Sequence, residues 1–145
     1  MTRSRLFGCL LGFSGMLLPA RLAFGSDPVP VPGMDAFAGV WHADVTPDQG
    51  ALNDGRNAFK DNILFENDGH FTAEAFGPMG YGRSDFTVTE VESGVYAFTT
   101  TMSSDTQGTL VWNGVRQGTQ IVGSLVWSKP DGSVGTYNFT AAPLD

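Results

Sequence analysis

The residues whose spacing could do chemistry in this chain are aromatic. GTLVW ends at Trp112 and GSLVW ends at Trp127, two near-copies separated by a Gly/Gln/Thr cluster. Side chains two apart on a strand share a face. That rule puts Leu110 with Trp112, Leu125 with Trp127, Tyr137 with Phe139, and Met102 with Phe98. Rings bury large areas with few rotamers to freeze. Phe86, Met102, Trp112, Trp127 and Tyr137 are therefore the candidate walls of a site for a small apolar or aromatic molecule. The Gly-rich stretch 77–83, GPMGYGR, adds Tyr81 and Arg83. As a lid, Tyr81 would gate such a site and Arg83 would orient an acidic group of the ligand. The alternative is a flexible loop whose Met79 and Tyr81 cover core. Arg56 and Lys60, in a long loop, are in reach of the same mouth or belong to a solvated loop.

Covalent catalysis has little to work with. There is no G-x-S-x-G, no H-E-x-x-H, and Cys9 is the sole cysteine. His42 and His70 fall on outward faces by parity, and a metal would need several converging ligands. Asp44 and Asp48 flank a loop and are explained by turn chemistry. An acid or base catalyst needs a titratable group inside a dry cavity. Glu90 alone reads as inward, at an end where no substrate reaches. The sequence thus names no catalytic residue, no metal and no cofactor, and an enzyme is the lesser reading.

Positioning the rings requires strands. Period-2 alternation fills the chain and helical periodicity is nearly absent. Eight segments read as strands: 39–44, 62–66, 70–76, 84–91, 95–102, 109–116, 120–128 and 134–141. One face is aromatic and includes the small residues Ala43, Ala73, Ala75 and Gly135. The other face is Thr, Ser, Asn and small β-branched residues. Three connections are tight: 67–69, 92–94 and 117–119. The others, 45–61, 77–83, 103–107 and 129–133, are longer and fall at the opposite end of an up-and-down sheet. The fold expected is all-β, an eight-stranded antiparallel up-and-down barrel with one closed end and one mouth. Its inside is either a ligand slot or an interlocked core.

The organisation outside the barrel is simpler. Residues 1–25 read as an export signal: Arg3 and Arg5, an apolar run to Ala20, and Ala23-Phe24-Gly25 before a cut at Ser26. Residues 26–36, SDPVPVPGMDA, form a Pro-rich extended leader, and 37–145 a single barrel domain. The expected address is periplasmic or secreted, with no membrane span after cleavage. Three of the eight Lys+Arg and none of the fifteen Asp+Glu lie in the signal, so five cations face fifteen acids in the remainder, a charge of −10. That excludes nucleic acid, which demands clustered Lys and Arg. The polar outer face also argues against an outer-membrane barrel, whose outward side is apolar.

Gly39-x-Trp41, opening the first segment as FAGVW, resembles the G-x-W signature of the calycin superfamily, the lipocalins and avidins. The resemblance in architecture covers residues 37–142 and implies an eight-stranded barrel with Trp41 closing its base. Two departures stand out. The arginine that lipocalins carry after the last strand is replaced by Ala141-Ala142-Pro143, and the avidin asparagine two residues after the Trp is Ala43. The resemblance implies a binding protein for a small molecule. A filled module that binds another exported protein through its mouth loops, and a small-molecule isomerase or cyclase, are the alternatives.

Overall fold

The computed structural model describes residues 33–144. The signal segment and residues 26–32 of the leader lie outside the described residues. Eight strands form: β1 (Gly39–Pro47), β2 (Phe59–Phe65), β3 (His70–Ala73), β4 (Ser84–Glu92), β5 (Val95–Ser104), β6 (Gly108–Gln117), β7 (Gln120–Ser128) and β8 (Val134–Pro143). Every sequential pair is antiparallel, and β8 closes on β1 with Phe139 opposite Val45 and Ala141 opposite Ala43. The barrel is closed, in the up-and-down order expected. Among the described residues no helix is long and apolar enough to cross a membrane.

The strand boundaries differ from the expected ones where pairing or capping decides. β2 begins at Phe59 because Phe59, Lys60 and Asp61 pair with Val45, Asp44 and Ala43. Its burial alternates, so Asp61 points inward with Ile63 and Phe65. The third strand stops at Ala73 rather than Phe76. Glu74–Met79 is a 3-10 helix, closed by Gly80 at φ 92°. Pro78 lacks the N–H a ladder needs, and Gly80 takes up the left-handed turn that follows. Ala75 is consequently exposed instead of lining the interior. Glu90 is also exposed: it lies beyond the core beside a register shift, and its carboxylate accepts from the Gly94 N–H at 3.2 Å. The long loop after β1 holds a short helix, α1 (Gln49–Asn53), capped by the Asp48 carboxylate on the Ala51 N–H at 2.8 Å.

The core fills the barrel from end to end. The leader does not stay extended through residue 36. Met34–Ala36 is a 3-10 turn that delivers Phe37, fully buried, against Phe65 and Phe98 at 5.3 Å between ring centroids. At the other end Phe76, carried by the 3-10 helix after β3, packs edge-on against Trp112 at 6.2 Å and Trp127 at 5.3 Å. Between them Trp112 is fully buried among Phe71, Phe76 and Phe139. Packing is tight around Gly114, where a methyl would come within 2.7 Å of Phe98 and 2.9 Å of Ile121. Phe37 and Phe76, neither on a strand, take the space that small residues facing large ones seemed to leave.

Candidate functional site: the mouth cleft

The mouth end keeps a cleft of about 430 Å³. Its apolar surface comes from Phe59 on β2, Phe76 and Met79 on the 3-10 helix, Trp127 on β7 and Tyr137 on β8. Its polar rim comes from Arg56, Asn57, Lys60 and Lys129. The volume lies within the range of small-molecule sites, about 300–1,000 Å³. The rings are mutually braced. Phe59 meets Phe76 at 5.6 Å and Tyr137 at 5.8 Å, both edge to face. Trp127 is 9% exposed and is pinned by its indole N–H donating to the Gln107 carbonyl at 2.9 Å.

The residues singled out in the sequence separate into three places. Trp127 and Tyr137 line the cleft. Phe86, Met102 and Trp112 are core: Phe86 packs on Phe65 at 5.1 Å, Met102 pairs with Leu110, and Trp112 sits mid-barrel. Tyr81 is buried beneath the 3-10 helix, edge-on to Phe76 at 5.7 Å, with its hydroxyl lacking a partner. Burial pushes that hydroxyl above its ordinary range. Arg83 is not at the cleft. It donates to the Glu66 carboxylate at 2.8 Å and lines an outer groove with His70 and Asp85. Of the connection 77–83 it is Met79 that lines the cleft, together with Phe76, which precedes the connection on the same 3-10 helix.

Arg56, not Arg83, is the arginine of the cleft. Its guanidinium lies against Gly135, where a Cβ would come within 2.6 Å of Nη1 and 2.7 Å of Cδ. It stands 6.0 Å from the Trp127 ring centroid, and the Lys129 ammonium stands 4.6 Å from the same centroid. Nη2 reaches the Ser133 hydroxyl at 3.4 Å, a long bond, and Nη1 is buried with no hydrogen-bond partner. Lys60 is paired with Asp44.

Asp61 was hidden from the strand reading by its assignment to the loop. Its carboxylate is buried and accepts from the Ala75 N–H at 2.7 Å, so it holds the start of the 3-10 helix that carries Phe76. The other oxygen, Oδ2, has no partner. Burial raises the group to about 6, with the Glu74 charge adding to the rise and the N–H groups of Ala75, Asn62 and Glu74 opposing it. It faces the helix start and does not line the mouth cleft. The signal that exposes it is the alternation Phe59, Asp61, Ile63, Phe65.

The closed end shows the same pairing of arginine and tryptophan, fully satisfied. Trp41 donates its indole N–H to the Phe37 carbonyl at 2.7 Å. Arg116, from β6, stands 5.4 Å over the Trp41 ring, donates from Nε to the Gly118 carbonyl at 2.8 Å, and donates from Nη1 to the Ala36 carbonyl. The arginine over Trp41 thus comes from β6 and not from beyond the last strand. Near this end Glu66, Asp68 and His70 bring ligand atoms within 4.8 Å of one another. Glu66 is neutralised by Arg83, and His70 stands 2.9 Å from Asp68 and 3.4 Å from Asp85, so the cluster reads as a surface ion-pair network.

Compared with protein-family models, curated proteins and solved structures, the chain gives no match.

Proposed function

We propose that this is an exported binding protein that holds a small, flat, apolar or aromatic molecule at the mouth of the barrel, not at its centre. The carrying observation is the cleft itself: four rings, Phe59, Phe76, Trp127 and Tyr137, converge on about 430 Å³ at the end where three of the four connections are longer loops and only 105–107 is a tight turn. The packed interior supports this location by leaving the rim as the place for a ligand. The barrel with Trp41 buried at its closed end also supports grouping the chain with the calycins.

The test is titration of the chain from Ser26 onward with N-phenyl-1-naphthylamine, a neutral apolar probe, followed by probe and tryptophan fluorescence. Saturable binding is expected. Trp127→Ala should weaken it about tenfold, the scale of one aromatic contact of roughly 1–1.5 kcal/mol. Absence of saturable binding to the folded chain would overturn the reading.

A second reading, a filled module that docks another exported protein, is favoured by the exposed Leu52 on α1 and Met79 on the mouth helix, 51% and 39% exposed. A partner whose capture depends on Leu52 and Met79, with no probe binding, would favour it.

A further inference from the structure

We infer that the ligand of the mouth cleft is an anion, a small apolar molecule carrying a carboxylate or sulfonate-like group, and that Arg56 is the residue that receives it. The inference rests on the cleft being the binding site. It goes further by assigning the charge and the residue that reads it.

Three of the five cations beyond the signal line this one cleft: Arg56, Lys60 and Lys129. The chain beyond the signal carries a net charge of −10, these three included, so their gathering at one rim is a local reversal of sign. Lys60 already has Asp44. Among the described residues Arg56 and Lys129 have no carboxylate within ion-pair distance. Asp131 feels both charges, but its carboxylate is turned to Ser133 and accepts that residue's N–H at 2.8 Å.

The decisive atom is Arg56 Nη1. A buried donor with no partner costs its full desolvation, and for a charged group the penalty is larger than for a neutral one. Guanidinium N–H groups meet carboxylate-type oxygens in a fixed fork, and such charge-assisted bonds are about twice as strong as neutral ones. Arg56 lines the cleft beside the rings of Trp127 and Tyr137 that would take the apolar body, with its Cζ 6.0 Å from the Trp127 centroid. Nη1 is folded back against Gly135, and a small rotation of the guanidinium would bring it to a bound anion. Gly135 makes the seat, since any Cβ there would strike the guanidinium. Arg116 at the closed end spends the corresponding nitrogen on the Ala36 carbonyl. Arg56 has no such carbonyl.

The probes that separate charge from apolar binding are 8-anilinonaphthalene-1-sulfonate and N-phenyl-1-naphthylamine, which share a ring system and differ by the sulfonate. The wild-type chain should bind the sulfonate about tenfold more tightly than the neutral probe. Arg56→Gln should abolish that preference, and Lys129→Gln should reduce it by a smaller factor. Gly135→Ala keeps the charge and displaces the guanidinium, so it too should abolish the preference. Arg83→Gln, the same charge change outside the cleft, should leave it intact. Each variant is first checked for a cooperative thermal transition. Equal binding of the two probes, unaffected by Arg56→Gln, overturns the anion inference and leaves the cleft standing. An equal loss in Arg83→Gln overturns it as well, by showing a general charge effect. Failure of both probes overturns the cleft and the inference together.

Discussion

Each end of the barrel is stopped by a phenylalanine from a 3-10 segment and carries an arginine beside a tryptophan. The closed end is complete. Phe37 is fully buried, Trp41 is hydrogen-bonded, and Arg116 spends Nε and Nη1 on backbone carbonyls. The mouth end is built from the same parts with the bonds left open. At the cleft itself Arg56 keeps an unpartnered nitrogen. The unpartnered Asp61 oxygen lies behind the 3-10 helix and the unpartnered Trp112 indole nitrogen in mid-barrel, so the contrast between the ends rests on Arg56 against Arg116. Residues whose hydrogen bonds are met inside the chain fix a structure. Residues whose bonds are unmet at a cleft store affinity for something else, at a cost in stability. The difference between the two ends is the physical argument for putting function at the mouth.

Four measurements break or sharpen this comparison, taken from the largest expected effect to the smallest. Phe37→Ala should be the most costly, about 3–5 kcal/mol in urea unfolding, the usual range for a buried Phe cut to Ala. A loss below about 1 kcal/mol would show that the closed end is not the anchor. Asp61 comes next. Its ordinary value is 3.8 and the fold raises it to about 6, so the fold prefers its protonated form. Its contribution is therefore full below about pH 4 and is lost as pH rises through 6, by at most about 3 kcal/mol. Relative to Asp61→Asn, the wild type should lose stability mainly between about pH 3.8 and 6. Parallel stability curves for the two proteins would remove Asp61 from the account of the mouth.

Phe76→Ala should cost less than Phe37→Ala, about 2 kcal/mol, because the cleft beside it can collapse or admit water. It should also change the uptake of apolar probes, which Phe37→Ala should not do at equal folded fraction. The smallest effects are the most telling. Arg116→Gln removes satisfied bonds and should destabilise by about 1–2 kcal/mol. Arg56→Gln removes an unpartnered Nη1 and only the long Nη2 bond to Ser133, and should leave the denaturation midpoint nearly unchanged. Equal losses in the two variants would mean that Arg56 is as structural as Arg116.

Much of the barrel was legible from the sequence because alternation and turn chemistry are local. The strand count, the three tight turns and the outward setting of His42 and His70 follow from period 2 and from Asn-Asp-Gly, Ser-Gly and Gln-Gly-Thr. The two stoppers were not legible. Phe37 and Phe76 lie off the strands, and nothing local says that a 3-10 turn will swing a ring into a barrel end. For the same reason Ala75 appeared to face inward. Asp61 is obscured by one boundary: with β2 begun at residue 62 it falls in a loop, and the pairing of Phe59 with Val45 puts it inside, whereas Arg56 is in the loop on either reading and within reach of the mouth. Arg83 was assigned to the mouth by its neighbours in the chain, whereas Glu66, across the β2–β3 turn, holds it outside.

The closure of β8 on β1 also has a temporal meaning. Every other seam joins neighbours in the chain and can form as soon as both strands exist. β1 is made first, yet its second edge has no partner until Val134–Pro143 has been synthesised. Through that interval one row of backbone groups on β1 stays open to the wrong strand, including the same strand of another copy. The loop that must be closed spans nearly the whole domain, so this joint should set the folding rate. A chain cut short before β8 would keep seven strands and leave β1 with an unpaired edge.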